Sequence, residues 1–253
     1  MKNWRISSAS IPGSDHTMPG KPGWKNNQDA TFAYNDDSLT IGIVADGCGS
    51  GKHSEVGAEI GVRLFGEMLR QSATRSLELG NMSFAGFERL RMNLLGQISV
   101  LACQMGQSLS TVVNDYFLFS LVGFIATQEE TIFFYCGDGV YFVNGESVKL
   151  GPFPGNKPPY ILYGLMGDSS PSFEIVSYKT SSVTSVAVGT DGTDYILDLD
   201  SVLLKWSSMD LVFKNPDFLR RQLALMNLER VENGILTPGP LKDDISIVLA
   251  GNF

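Results

Sequence analysis

Three times in this chain an apolar, β-branched run stops on Asp-Gly. Residues 39–44 pass through Ala45 into Asp46-Gly47, residues 131–135 pass through Cys136-Gly137 into Asp138-Gly139, and residues 185–188 lead into Asp191-Gly192. A further run, residues 245–249, is preceded by Asp243 and Asp244. Runs of this kind read as strands. A carboxylate at a strand end is held by rigid backbone yet lies where ligands can reach it. One Asp-Gly is a common turn dipeptide. Its repetition after strands points instead to carboxylates from distant segments converging on a hard cation, Mg²⁺ or Mn²⁺.

The remaining segments fall into blocks. A short strand near residues 4–8 is followed by a polar, Gly- and Pro-rich loop up to Asn27. Residues 31–34 and 39–45 read as a hairpin turning at Asn35-Asp36-Asp37. Residues 54–71 have helical periodicity, with Val56, Ile60, Leu64 and Leu69 near one stripe. Residues 84–105 read as a longer helix through Phe87, Leu90, Leu94, Ile98 and Leu101. Residues 116–127, 131–135, 140–143, 173–178 and 183–188 are strands, interrupted by a Gly/Pro-rich excursion over residues 151–171. Two helices (196–206 and 217–228) and a strand (245–250) complete the chain. Strands and helices are segregated rather than alternating, which favours an α+β layered fold over a doubly wound sheet. No linker or repeat divides residues 1–253, so a single domain is expected.

Composition removes several classes of function. The chain has 253 residues, 43% of them hydrophobic, with 19 Lys and Arg against 27 Asp and Glu for a net charge of −8. No basic run is present, so no nucleic-acid partner is expected. No stretch approaches the roughly 18 apolar residues of a membrane span, and residues 1–16 lack a signal-peptide core. Cys48, Cys103 and Cys136 have no ligand-like spacing, which suits a reducing compartment. The expectation is a cytoplasmic protein. No oligomerisation signal is evident, and a monomer is expected.

The motifs around the carboxylates carry a resemblance. Asn27-Gln28-Asp29, Val44-Ala45-Asp46-Gly47, Cys136-Gly137-Asp138-Gly139, Thr190-Asp191-Gly192 and Asp243-Asp244-Ile245-Ser246 stand in the order of the metal-dependent protein phosphatase family, type 2C. There they resemble the N-[EQ]-D, V-x-DG-x-G, GDS, SDG and DN-x-T/S signatures, and compact bacterial members look most similar. Each motif alone is weak, but together they span most of the chain. The resemblance implies a four-layer αββα sandwich: two central, mostly antiparallel β-sheets flanked by helices. It also implies hydrolysis of phosphoserine and phosphothreonine in phosphoprotein substrates, by water activated at a two-metal centre of Mn²⁺ or Mg²⁺. Asp46 would be shared by both ions, Asp29 and the carbonyl of Gly47 would hold one, and Asp191 and Asp243 the other. Asp138 matches the ligand of a third ion.

The departures from the pattern are specific. Trp24 occupies the position of a phosphate-gripping Arg, leaving the neighbouring Lys25 as the candidate for phosphate binding. Cys48 stands where eukaryotic relatives have a His. His53 is read as part of a loop-to-helix transition and His16 as a surface histidine. Gly139-Val140 replaces Ser-Arg, and Tyr195 stands where a further Asp is often found, with Asp194 one place early. Asp244 replaces an Asn and is read as a solvent-facing strand start. Two rivals follow: a pseudophosphatase acting as a binding module, and a hydrolase of small phosphoesters.

Overall fold

A computed structural model describes residues 4–18, 26–77, 84–167, 171–232 and 235–252. In chain order the strands are β1 (Trp4–Ile11), β2 (Asp29–Asn35), β3 (Thr40–Gly47), β4 (Phe119–Ala126), β5 (Glu130–Cys136), β6 (Gly139–Val143), β7 (Glu146–Leu150), β8 (Glu174–Lys179), β9 (Ser185–Gly189), β10 (Arg230–Glu232), β11 (Ile235–Thr237) and β12 (Ile245–Asn252). The helices are α1 (Ser14–Thr17), α2 (Ser54–Leu77), α3 (Phe84–Gln104), α4 (Leu109–Val112), α5 (Leu199–Ser208), α6 (Asp210–Lys214) and α7 (Phe218–Met226).

The strands build two five-stranded sheets, in the orders β1-β12-β9-β6-β7 and β2-β3-β4-β5-β8, beside a small β10-β11 pair. All of these pairings are antiparallel. Side-chain alternation explains the stacking. On β3, Ile41, Ile43 and Ala45 join the core under α2 and α3, while Val44 faces the other sheet. On β12, Ile245, Ile247 and Leu249 join the core under α5, α6 and α7, while Val248 and Ala250 meet Val44, Val122 and Phe124 between the sheets. The central strands are thus covered on both faces, which is why they read as continuous apolar runs. This is the αββα sandwich that the resemblance implied.

Several elements depart from the sequence reading. The buried face of α2 is Ala58, Val62, Phe65, Leu69 and Ala73, whereas Val56 is exposed. Alanines at those positions let the helix approach the sheet closely, a signal that a stripe of large residues misses. Residues 113–117 form a turn of wide helix, so β4 begins at Phe119 rather than 116. The edge strand β7 is largely exposed and carries Glu146 and Lys149, hiding it among polar residues. The short α6 and the β10-β11 pair also escaped the periodicity reading. The Gly/Pro-rich segment is not a surface excursion throughout. Its Tyr160, Ile161 and Leu162 are buried in the core under α2 and α3.

Candidate metal centre

The fold brings the strand-end carboxylates to one end of the sandwich, from both sheets. Asp29 opens β2 and Asp46 lies near the end of β3, and the two are register partners. Asp46 in turn pairs with Ser120 on β4. Asp138 sits in the link that crosses from β5 in one sheet to β6 in the other. Asp191 follows β9 as the first residue of a 3-10 turn, and Asp243 lies two residues before β12.

Their mutual electrostatics show the convergence. Burial raises the Asp46 carboxyl well above its usual range, and Asp29, Asp191, Asp138 and Asp243 push it further. Asp29 is likewise raised by burial, partly relieved by a hydrogen bond from Thr190 and reinforced by Asp244, Asp191 and Asp243. Asp191 is raised to about 6 by burial and by Asp243 and Asp138, against a hydrogen bond shared with Asp46. Asp243 is raised chiefly by burial. Crowded carboxylates that resist ionisation mark a strongly negative field. Perturbation of this kind is characteristic of functional sites.

The motif residues between the carboxylates set their positions. The Asn27 side chain accepts the Asp29 backbone N–H (3.1 Å) and donates to Ser10 Oγ (2.7 Å). The Gln28 carbonyl accepts the Gly47 N–H (3.1 Å). A Cβ on Gly47 would stand 2.7 Å from that same carbonyl oxygen, so only glycine permits the approach. Thr190 Oγ1 donates to Asp29 Oδ2 (2.6 Å) and accepts the Ser246 N–H (3.0 Å), joining β2 of one sheet to β9 and β12 of the other. Ser120 Oγ donates to Asp138 Oδ1. Neither hydroxyl was singled out from sequence. The available signals were the place of Thr190 directly before Asp191 and a lone hydroxyl, Ser120, in an otherwise apolar strand.

Other sequence expectations are placed differently. Asp244 does not face solvent; it is 2% exposed. Its Oδ1 accepts the Gly13 N–H (2.9 Å) and its Oδ2 the Gln28 N–H (2.7 Å). His16 is not a surface histidine, because its Nδ1 stands 2.8 Å from Asp244 Oδ1 and its Nε2 3.6 Å from Asp243 Oδ1. The loop before β1's neighbour β12 had to fold against residues 13–16 for this to occur, and residue spacing carries no trace of it. His53 stacks on Tyr116 at 5.3 Å, in keeping with a loop-to-helix transition. Cys48 is half-buried beside Ser50; burial raises its thiol, but hydrogen bonds from Ser50 and Tyr160 and from the backbone outweigh it and lower the pKa. Asp194 points away to an ion pair with Lys149. Lys25 and Trp24 lie outside the described residues.

The donor set is wholly oxygen and mostly anionic, which fits Mg²⁺ or Mn²⁺ and not a soft metal. Among the described residues no group of three or more His, Cys, Asp or Glu side chains is already arranged around a point to hold a metal ion. The carboxylates share one end of the sandwich and would have to turn toward a common centre.

The family model of protein phosphatase 2C matches residues 23–231. The chain belongs to the protein phosphatase 2C family. No curated protein matches this 2C-family sequence significantly. Its fold is similar to that of a bacterial serine phosphatase, with a TM-score of 0.58 at 14% identity over 98% of each chain. It is also similar to the Mycobacterium tuberculosis serine/threonine phosphatase PstP/Ppp, with a TM-score of 0.59 at 13% identity over 99% of each chain. The catalytic domain of PstP has been solved in complex with 2 manganese ions; it matches with a TM-score of 0.59 at 13% identity, over 100% of this chain and 99% of that one. PppA of Pseudomonas aeruginosa, a regulatory component of T6SS, matches with a TM-score of 0.58 at 16% identity, over 99% of this chain and 98% of that one. At these identities the likeness establishes the 2C fold.

Proposed function

We propose that this chain is a single catalytic domain over residues 1–253, a metal-dependent phosphatase acting on phosphoserine and phosphothreonine in proteins. The observation that carries the reading is the convergence of Asp29, Asp46, Asp138, Asp191 and Asp243 in a chain of the 2C family. The manganese-bound PstP domain supports the choice of cofactor.

Asp46 would be the carboxylate shared by two ions, Asp29 and the Gly47 carbonyl would hold one, and Asp191 and Asp243 the other. Asp138 would serve a third. Bound Mn²⁺ or Mg²⁺ would supply charge to offset the phosphoryl oxygens and would lower the pKa of water. The chain's own residues set the geometry. Rigid strand ends hold Asp29 and Asp46 opposite one another, Thr190 fixes the rotamer of Asp29, and Ser120 fixes that of Asp138. Without cations this negative pocket would repel a phosphomonoester, so substrate binding and metal binding are coupled. Lys25 remains the candidate phosphate contact. The substrate class is a phosphoprotein, and a cytoplasmic monomer without a nucleic-acid partner is the assembly proposed. No described helix is long and apolar enough to cross a membrane.

A binding module that keeps the fold without turnover is the second reading. It is favoured by the Lys149–Asp194 ion pair, which occupies the carboxylate nearest the expected further ligand of a third ion. The deciding experiment is phosphate release from a phosphothreonine peptide, with p-nitrophenyl phosphate in parallel, in Mn²⁺, Mg²⁺ and chelator. Metal-dependent release from the peptide supports the phosphatase. Release from the small ester alone redirects the substrate class. No release by folded protein with either metal favours the binding module.

A further inference from the structure

We propose that Asp244, not itself a ligand in the reading above, is a positioning residue that fixes the separation of the two halves of the metal centre. The inference rests on the phosphatase reading and adds a part to its site.

Asp244 lies between segments that belong to different proposed ions. Its backbone is continuous with Asp243. Its Oδ2 accepts the N–H of Gln28 at 2.7 Å, and Gln28 is the residue directly before Asp29. Its Oδ1 accepts the N–H of Gly13 at 2.9 Å, and His16 Nδ1 stands 2.8 Å from that same oxygen. The loop carrying Gly13 is itself sewn to the segment before β12, through Ser14 N–H to the Leu241 carbonyl (2.8 Å) and Asp15 N–H to the Lys242 carbonyl (3.0 Å). One buried carboxylate therefore ties the start of β2, the start of β12 and the α1 loop into a strut directly behind the carboxylates. Asp29 and Asp243 cannot move apart without breaking it.

The chemistry requires side-chain acceptors at this place. Both side-chain oxygens receive backbone donors, and a carboxylate offers two acceptor oxygens whereas an amide offers one acceptor and one donor group. An Asn, the residue of the family signature at this place, keeps one of the two bonds, whereas Ala keeps neither. Gly192 completes the constraint from the other side, since a Cβ there would stand 1.9 Å from the Asp244 carbonyl oxygen. Residues that orient metal ligands typically change metal affinity by about 10–100-fold when removed.

The test is Mn²⁺ titration by calorimetry of chelator-treated wild type, Asp244→Ala, Asp244→Ser and Asp244→Asn, with near-ultraviolet circular dichroism to confirm packing. Folded Asp244→Ala is expected to bind Mn²⁺ at least about tenfold more weakly than wild type. Asp244→Ser, whose hydroxyl is too short to reach both backbone donors, is expected to weaken binding by a similar factor, and Asp244→Asn, which retains one acceptor, to stay closer to wild type. A residue with only a structural role would lower the melting temperature of the chelated protein and leave the affinity of the folded fraction unchanged. Wild-type affinity in folded Asp244→Ala overturns the strut. Should that variant fail to fold, wild-type affinity in folded Asp244→Ser overturns it instead. Wild type that takes up no Mn²⁺ overturns the two-metal reading, and the strut with it.

Discussion

Asp29 and Asp46 are register partners across β2 and β3, so two carboxylates are held opposite each other by an antiparallel ladder. Neither can retreat without breaking strand pairing. The repulsion between them is therefore built into the fold, and cation binding is the event that relieves it. Removing Asp46 should separate function from folding. Asp46→Ala is expected to abolish metal-dependent phosphate release while the chelated protein keeps or gains thermal stability, since a crowded charge is deleted. Turnover near that of wild type in the phosphopeptide assay would defeat the shared-ligand role.

The raised carboxyls predict an unusual pH dependence. Asp191 sits at about 6 against an ordinary 3.8, with Asp29 and Asp46 displaced in the same direction. A folded-state pKa above the unfolded value means the native state retains a proton that the unfolded chain releases. The contribution to stability is then fully present below about 3.8 and is lost as pH rises through about 6. In chelator, the melting temperature of wild type relative to Asp191→Asn should fall between pH 5 and pH 7. Saturating Mn²⁺ should cancel the fall. A relative melting temperature that rises over this interval would contradict the assignment.

Thr190 ties the sheets together at the site, donating to Asp29 and accepting from Ser246. Thr190→Val keeps the shape and removes both bonds, leaving the buried Ser246 N–H without its acceptor. The expected cost is about 1–3 kcal/mol in denaturant unfolding. Mn²⁺ affinity should drop about tenfold, because an outer-sphere partner of a ligand is lost.

Asp138 is the separable member of the group. Asp138→Asn is expected to leave uptake of two Mn²⁺ per chain intact while reducing turnover. Loss of one of those two ions in the calorimetric stoichiometry would place Asp138 among their ligands.

Away from the site, Phe134 packs against Phe87 at 5.1 Å, Phe65 at 5.6 Å and Phe173 at 5.8 Å between ring centroids. Phe134→Ala should cost about 3–5 kcal/mol of stability and leave Mn²⁺ affinity at temperatures well below melting unchanged.

Asp46, Asp138, Asp191 and Asp243 were legible in the sequence because each lies beside an apolar run, a local pattern that survives without knowledge of the fold, whereas Asp29 was legible only through the family resemblance. The layering was legible only through the family resemblance, since runs buried on both faces carry no alternation to say which neighbour covers which side. The face of α2 was partly legible, since Ile60, Leu64 and Leu69 meet the core, but Ala58 and Ala73 bury without being large. Asp244 and His16 were misread for a different reason. Gly13 and Asp244 are 231 residues apart in the chain, and no periodicity links a buried acceptor to donors at that distance. The polar residues that hold the ligands are the part of the site that only three dimensions reveal.

The pairing of β1 with β12 places Trp4 opposite Asn252, and β12 is an interior strand with β9 on its other side. The first sheet thus cannot close until residues 245–252 have been synthesised, and Asp243 reaches the carboxylate cluster in the same late step. During translation β1 must wait for its partner while β2, β3, β4, β5 and β8 can already pair. Long-range closure of this kind slows folding. It also means that a growing chain holds a nearly finished second sheet and no complete site, so activity would switch on only when the last strand slots into the middle of the first sheet.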